Sequence, residues 1–308
     1  MRKTCLDSIY KLAKKNKKVC FIGSDLGAGV LDEFKKNIPE RFFMEGVSEQ
    51  YITGMSAGLA IEGFIPYFNT IATFITRRNF EQNIIDLGLH NLPVRLIGNG
   101  GGLVYAPLGP THQATDDIAL MRIIPNMNII APCDSHEMEI LMMQSIKIKG
   151  PLYIRLAKGG DKILTKGLKN IRFGKSILFG KPKDLLFVTT GVATQECLLA
   201  LDKLKKIGIF GAVLHNSTIK PFDRKNFMKH CKMVKKIITV EEHFVSGGLG
   251  SLVLEILNDE KSKSINNLYR IGIENKFVKK YGTQQELFDY CGISADQIFK
   301  KVKFIFNE

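Results

Sequence analysis

Short apolar runs that favour β-strands alternate with helix-length segments along the first half of this chain. The runs lie at residues 18–23, 65–68, 94–98, 127–131 and 152–156. This alternation is typical of a mainly parallel sheet with helices on both faces, since each pair of parallel strands needs a crossover connection. A charged, glycine-bearing stretch at residues 158–171 follows, and its composition predicts a linker.

The second half repeats this pattern on a smaller scale. It begins with a predicted hairpin at residues 171–180 and continues with strand-like runs at 184–191, 212–216 and 236–240. The length of 308 residues also exceeds the size at which single cores usually stop growing, about 250 to 300 residues. We therefore expect two α/β domains, each a mainly parallel sheet flanked by helices, at residues 1–165 and 166–308.

Composition excludes several classes of protein. The net charge of +14 comes mostly from lysine spread along the chain without an aromatic-interleaved patch, so a solvated surface is favoured over nucleic-acid binding. No apolar run approaches the roughly 18 residues that span a bilayer, and the first residues lack the apolar core of a signal peptide. We expect a cytoplasmic protein that binds neither nucleic acid nor membrane.

The six cysteines are widely spaced and form no Cys-x-x-Cys pair. This spacing argues against a zinc site and against a disulfide framework. The sequence predicts reduced, mostly structural thiols and no metal ligands on this chain.

Glu49 lies at the head of an apolar segment of small residues, 51–63. In the simpler interpretation Ser48 caps a helix and Glu49 gains about 0.3–1 kcal/mol from the helix dipole. In the alternative, an ionised carboxylate with little nearby to solvate it must bind something. Gly54 and Gly58 favour the alternative, since each costs about 1 kcal/mol against alanine in a helix and so indicates close approach of another backbone or a ligand.

Two further segments are candidates for chemistry. Phe74, Arg77 and Phe80 fall three apart, so one helical face presents aromatic, cation, aromatic. That stripe is either core packing with a capping arginine or a platform for a flat heteroaromatic ring, with Arg77 pairing a phosphate. His112 follows a glycine-rich loop, 98–104, and is either a structural hydrogen bonder or a functional loop residue.

Eight short motifs in a fixed order resemble the transketolase family of thiamine diphosphate enzymes, specifically their pyrimidine-binding and C-terminal domains. The resemblance covers nearly the whole chain. The matching segments are Gly23-Ser-Asp-Leu26, Gly46-Val-Ser-Glu-Gln50, Thr73-Phe74 with Arg77, Gly109-Pro-Thr-His-Gln113, Ile124-Pro-Asn126, Tyr153-Ile-Arg155, Thr218-Ile-Lys-Pro-Phe-Asp223 and Val240-Glu-Glu-His243.

The resemblance implies a cofactor site. Glu49 would be catalytic, because its carboxylate would hydrogen-bond the aminopyrimidine ring of thiamine diphosphate and favour the tautomer that activates the cofactor. Phe74 would stack on that ring, and Asp25 would lie nearby. Arg77 and Phe80 complete the expected cofactor-binding set.

The resemblance also implies a substrate site for sugars or sugar phosphates. His112 would be catalytic, through hydrogen bonds to the donor sugar or the reacting oxygen, and Arg155 and Arg2 would bind the acceptor phosphate. Leu108 departs from the family, which has an aspartate there. Loss of that hydrogen-bonding group should cost about 1–3 kcal/mol for a hydroxyl, so a deoxy or modified sugar or a 2-oxo acid becomes a candidate donor.

The family's Gly-Asp-Gly motif, which holds Mg²⁺ and the diphosphate, does not occur in this sequence. The resemblance therefore implies a split enzyme. A separate N-terminal subunit would supply the metal and diphosphate site, and two copies of this chain would meet within a heterotetramer. The expected reaction is transfer of a two-carbon ketol unit; the alternatives are a decarboxylating 1-deoxyxylulose-5-phosphate synthase or the β-subunit of a 2-oxo acid dehydrogenase.

Overall fold

The computed structural model describes residues 1–23 and 31–307. Two sheets with helices on their faces make up this part of the chain. The strands are β1 (Val19–Gly23), β2 (Phe42–Met44), β3 (Ile65–Ile71), β4 (Arg95–Asn99), β5 (Asn128–Ile130), β6 (Leu152–Leu156), β7 (Ile177–Gly180), β8 (Leu185–Thr189), β9 (Gly211–His215), β10 (Thr218–Lys220), β11 (Lys236–Phe244) and β12 (Leu268–Ile273). The α-helices are α1 (Arg2–Lys15), α2 (Asp32–Asn37), α3 (Glu49–Ile61), α4 (Phe80–Gln82), α5 (Asp117–Arg122), α6 (Ser135–Ser145), α7 (Ala193–Lys205), α8 (Arg224–Cys231), α9 (Leu249–Asp259), α10 (Gln284–Cys291) and α11 (Ala295–Asn307).

The first sheet has the strand order β10-β5-β6-β4-β3-β1-β2 in the described residues, and its strands are parallel except β10. Alternate side chains enter different cores, as the two-residue period of a strand requires. Tyr67 and Ile97 pack with α1 and α6, whereas Phe68 and Leu96 pack with α3 and α5. The predicted parallel sheet covered on both faces is confirmed.

The second sheet has the order β12-β11-β8-β9-β7, with β7 antiparallel to β9 and the other described pairs parallel. Phe187 and Val213 face α7 and α11, and Leu186 and Leu214 face α8 and α9. The hairpin predicted at residues 171–180 is wrong, because β7 pairs with β9 rather than with a strand beside it in sequence. The two α/β units predicted from the sequence are both present.

Contacts between the two halves are extensive. Strand β10 comes from the second half of the chain yet forms the edge of the first sheet, antiparallel to β5. His215 of β9 pairs with Glu137 of α6 at 2.9 Å, and both side chains are fully buried. Burial would raise the pKa of Glu137, but the charge and hydrogen bond of His215 hold it below its usual value. The halves therefore share a packed, partly charged interface.

The residues between β6 and β7, 157–176, form neither helix nor strand. The linker prediction falls in this segment, and the boundary at residue 165 stays a prediction. All six cysteines are free thiols. Cys133 lies beside the buried Glu137 and His215, where Glu137 accepts a hydrogen bond from the Cys133 backbone N–H at 2.8 Å. Among the described residues, no helix has the length and apolar character needed to cross a bilayer.

Candidate active site

Glu49 is the first residue of α3, and its side chain is 1% exposed. The hydroxyl of Ser48 donates to the carbonyl oxygen of Glu45 at 2.8 Å and makes no capping hydrogen bond to α3, so the simple capping interpretation of Ser48 is wrong. Instead, Thr70 Oγ1 donates to Glu49 Oε1 at 3.3 Å, and Arg78 Nη1 donates to Glu49 Oε2 at 2.6 Å. A buried carboxylate needs such partners, and other elements of the fold supply them.

Thr70 lies near the carboxyl end of β3. The carboxyl ends of β3 and β4 form the edge of an open α/β sheet where ligands bind. Asn99 at the end of β4 donates to Asn69 Oδ1 at 2.6 Å and to the carbonyl oxygen of Thr70 at 2.9 Å. These bonds join the ends of the two strands. Thr70, which donates to the Glu49 carboxylate, is therefore itself held in place by buried polar groups.

Phe74–Arg78 forms a π-helix rather than an α-helix, and a turn at Asn79 separates it from α4. The stripe predicted from an α-helical period is therefore wrong. The cation over the Phe74 ring is Arg78, with its guanidinium carbon 4.4 Å from the ring centroid. Phe80 is half-buried and packs against the core on the α3 side of the sheet.

Arg77 points to a different partner. Its Nε and Nη2 donate to Asp116 at 2.7–3.0 Å, and Nη2 also donates to the carbonyl oxygen of Gln113. This forked pair is the geometry that arginine forms with carboxylates. Arg77 therefore links the π-helix to the loop that carries His112.

His112 lies next to Phe74. Their ring centroids are 5.3 Å apart in an edge-on arrangement, and the Tyr105 ring lies 6.4 Å from His112 on the same loop. Thr111 Oγ1 is 2.9 Å from His112 Nδ1. Within residues 1–23 and 31–307, no hydrogen bond to His112 Nε2 is made, which leaves this atom available to a ligand. The contacts from Glu49 to Arg78, from Arg78 to Phe74 and from Phe74 to His112 bring these residues together, and we call this cluster the cleft.

Leu108 lies on the loop that leads to His112, and half of its side chain, 50%, is exposed. Its part in substrate binding stays a prediction.

The Arg155 side chain is buried, and its role as an acceptor-phosphate ligand stays a prediction. It is 5% exposed, and its Nε donates to Asp117 Oδ2 at 2.7 Å. Its Nη1 lies 3.8 Å from Glu242 Oε2 in the second domain. A Cβ on Gly101 would come within 2.5 Å of Arg155, and one on Gly102 within 2.3 Å of Glu242. The glycines of this loop therefore make room for a buried ion network between the domains.

Two predicted residues remain apart from this cleft. Arg2 is in the first turn of α1, and its Nε is buried without a hydrogen-bond partner among the described residues. None of its contacts in that part of the chain joins it to Glu49 or His112. Asp25 lies outside the described residues.

Sequence reasoning missed Arg78, Asp116 and Thr70. The sequence contains an Arg77-Arg78 doublet, but an α-helical period places Arg77 rather than Arg78 on the face with Phe74 and Phe80. Asp116 follows His112 by four residues and could have been recognised as a carboxylate within reach of the same segment. Thr70 carried no signal, because only its strand pairing places it under Glu49.

Two family profiles match the chain: "Transketolase, pyrimidine binding domain" over residues 1–160 and "Transketolase, C-terminal domain" over residues 174–298. A Methanocaldococcus jannaschii protein named as a transketolase C-terminal section is 33% identical, with 98% of this chain and 95% of that protein covered. The 1-deoxy-D-xylulose-5-phosphate synthase of Clostridium acetobutylicum is also 33% identical over 96% of this chain, which spans only 47% of that enzyme.

Solved structures agree with these matches. A protein described as "Split gene transketolase, inactive beta4 tetramer" has a TM-score of 0.90 and 30% identity, covering 99% of this chain and 98% of that one. The transketolase of Campylobacter jejuni shares the fold, with a TM-score of 0.80 at 19% identity over 98% of this chain and 46% of that one. Two profile matches in tandem, relatives of at least 30% identity and the shared fold lead to one conclusion: this chain belongs to the transketolase family and carries its pyrimidine-binding and C-terminal domains.

Proposed function

We propose that this chain is the C-terminal subunit of a split thiamine diphosphate-dependent transferase that moves a two-carbon ketol unit between sugar or sugar-phosphate substrates. The observation that supports this most strongly is the buried Glu49 carboxylate, bound to a planar cation that lies on the Phe74 ring beside His112. A carboxylate and an aromatic face in this relation fit an aminopyrimidine, which is planar and basic.

The residues of the cleft suit the cofactor as follows. Glu49 would hold and donate a proton at the pyrimidine ring nitrogen, and Thr70 would orient its carboxylate. Phe74 would support the ring from one side, while Phe80 and Arg77 hold the π-helix and the loop in place. Bound thiamine diphosphate supplies the nucleophilic carbon that attacks the donor carbonyl.

His112 is the proposed substrate-facing residue of this chain. Thr111 fixes one ring nitrogen, so Nε2 can donate to or accept from a hydroxyl or the reacting oxygen of the donor. The contact between the His112 and Phe74 rings, whose centroids are 5.3 Å apart, supports this role. A proton held at Nε2 would then stabilise charge that develops on the substrate oxygen.

The other half of the site belongs, in this proposal, to an N-terminal subunit with the Gly-Asp-Gly motif and the Mg²⁺ ligands. The exposed face of α3 suits a protein interface: Tyr51 and Ile61 are 63% and 67% exposed, and a Cβ built on Gly54 or Gly58 meets nothing within 4 Å. We propose that this face packs against a second copy of the chain within a heterotetramer. The proposal also includes a cytoplasmic location and domains at residues 1–165 and 166–308.

A decarboxylating synthase is the second candidate. It is supported by Leu108, a half-exposed aliphatic residue on the loop that leads to His112, and by the similarity to 1-deoxy-D-xylulose-5-phosphate synthases. An aliphatic side chain favours a donor without a hydroxyl at that position, such as a 2-oxo acid.

Donor trapping in single turnover distinguishes these functions. The chain, assembled with its N-terminal subunit, cofactor and Mg²⁺, is mixed with fructose 6-phosphate or with pyruvate. Ketol transfer predicts an aldose two carbons shorter from the sugar phosphate and no carbon dioxide. A burst of carbon dioxide from pyruvate, with the sugar phosphate unchanged, would assign the synthase reaction instead.

A further inference from the structure

Arg78 makes two contacts at once in the cleft. Its Nη1 donates to Glu49 Oε2 at 2.6 Å, and its guanidinium carbon lies 4.4 Å from the Phe74 ring centroid. Guanidinium is planar, delocalised and cationic, so it both stacks on aromatic rings and pairs with carboxylates. These are the two contacts that the proposed function assigns to the aminopyrimidine ring.

We propose that the Arg78 guanidinium occupies the place of the aminopyrimidine in the cofactor-free chain and is displaced when the cofactor binds. This inference rests on the proposed function. The other contacts of Glu49 and of Phe74 indicate that the aminopyrimidine ring displaces the Arg78 guanidinium rather than binding beside it. Glu49 Oε1 already accepts from Thr70, and the His112 ring is in edge-on contact with the Phe74 ring. The ring and the guanidinium therefore compete for Glu49 Oε2 and for the same aromatic surface.

The burial of the two charged groups shows which one moves. The Glu49 side chain is 1% exposed, whereas that of Arg78 is 43% exposed. A buried carboxylate without a partner is costly, but a guanidinium at the surface is readily solvated. The backbone near Arg78 is held, since its carbonyl oxygen accepts from Gln50 Nε2 at 3.1 Å. Exchange thus requires only rotation of the Arg78 side chain towards solvent.

This exchange has a measurable consequence for affinity. A site that is open only part of the time binds its ligand more weakly, in proportion to the open fraction. If the Arg78 guanidinium occupies the aminopyrimidine position about nine-tenths of the time, its removal tightens the binding of thiamine about tenfold. Before the cofactor arrives, the same contact satisfies the buried Glu49.

Binding of thiamine to the full chain tests the proposal without the partner subunit. Isothermal titration would compare wild type with Arg78→Ala and Arg78→Gln, and Arg224→Ala serves as control because Arg224 is an exposed arginine in α8, paired with Asp259. We expect both Arg78 variants to bind thiamine about tenfold more tightly than wild type and the control to match wild type. Equal or weaker binding by both Arg78 variants would overturn the exchange.

Guanidinium ion provides a second readout. In Arg78→Ala, millimolar guanidinium chloride should occupy the aminopyrimidine position and weaken thiamine binding towards the wild-type value. Sodium chloride at the same concentration should not have this effect. No effect of guanidinium beyond that of salt would contradict the proposed stacking position.

The same variants in the assembled enzyme distinguish failure of the Arg78 exchange from failure of the proposed function. Thiamine diphosphate bound by the wild-type assembly but not more tightly by the Arg78 variants overturns the exchange alone, whereas no binding by any variant overturns the proposed function as well.

Discussion

At the scale of single residues, the cleft depends on one buried acid and its partners. The family motifs identify Glu49, Phe74 and His112 as candidates, and contacts in the structure bring the three residues together, while their roles stay predictions. The sequence was insufficient to find Arg78, since the partner of Glu49 is decided by a π-helix. Arg155 shows the same limit: the sequence identifies a cation, but only the fold shows that its partner is Asp117.

Glu242 gives the domain interface a pH dependence. Burial raises the pKa of Glu242 to about 7, although Arg155, Gln284 and the Leu103 amide favour its charged form. A folded-state pKa above the unfolded value of about 4.5 means that the folded chain binds this proton more tightly. The resulting stabilisation is fully present below about pH 4.5 and is lost as the pH rises towards 7.

Replacing Glu242 by glutamine should remove this pH dependence. Between about pH 5 and about pH 8 we expect wild type to lose at most about 3 kcal/mol of stability relative to Glu242→Gln. The thermal midpoint of wild type should therefore fall by several degrees relative to that of the variant. Differential scanning calorimetry measures both. Glu255→Gln, at an exposed position of α9, should follow wild type. Parallel midpoint curves for wild type and Glu242→Gln would show that Glu242 does not titrate in this range.

At the scale of elements, the inner strands of the two mainly parallel sheets were predictable, because buried strands read as continuous apolar runs, whereas the edge strands β2 and β12 were not predicted. The errors have one cause, which is that pairing and helix type depend on tertiary contacts. The predicted hairpin failed because β7 pairs with β9 across the sheet, and β10 could not be assigned to the first sheet from a run of three residues. The predicted stripe failed because a π-helix changes which side chains share a face.

The exposed glycines of α3 lead to a prediction about assembly. Gly54→Leu and Gly58→Leu should fold as well as wild type, since a Cβ has open space at both sites and leucine raises helix propensity by about 1 kcal/mol. Self-association should be lost, because the larger side chain separates the two α3 helices.

Sedimentation equilibrium of the isolated chain measures this loss as a fall in mass to that of the monomer. Lys225→Leu in α8 is the control for adding an exposed leucine, and it should associate like wild type. Undiminished association of both glycine variants would place the interface elsewhere.

At the scale of the whole molecule, the order of the motifs gave the family before any contact was known. The tandem domain matches and the split-gene neighbour agree with a chain that holds part of an enzyme. In the proposed function this part contributes an acid, an aromatic face and a histidine, and its sequence contains no Gly-Asp-Gly motif for the diphosphate. The account therefore requires a second polypeptide for a complete cofactor site.

Titration of thiamine diphosphate and Mg²⁺ into the chain, co-purified with a Gly-Asp-Gly-bearing subunit, tests this requirement most directly. The account predicts saturable binding of one cofactor per pair, much weaker binding by either subunit alone, and loss of binding in Glu49→Ala while the pair stays assembled. An assembled wild-type pair that binds no thiamine diphosphate, or one in which Glu49→Ala binds as tightly as wild type, would contradict it.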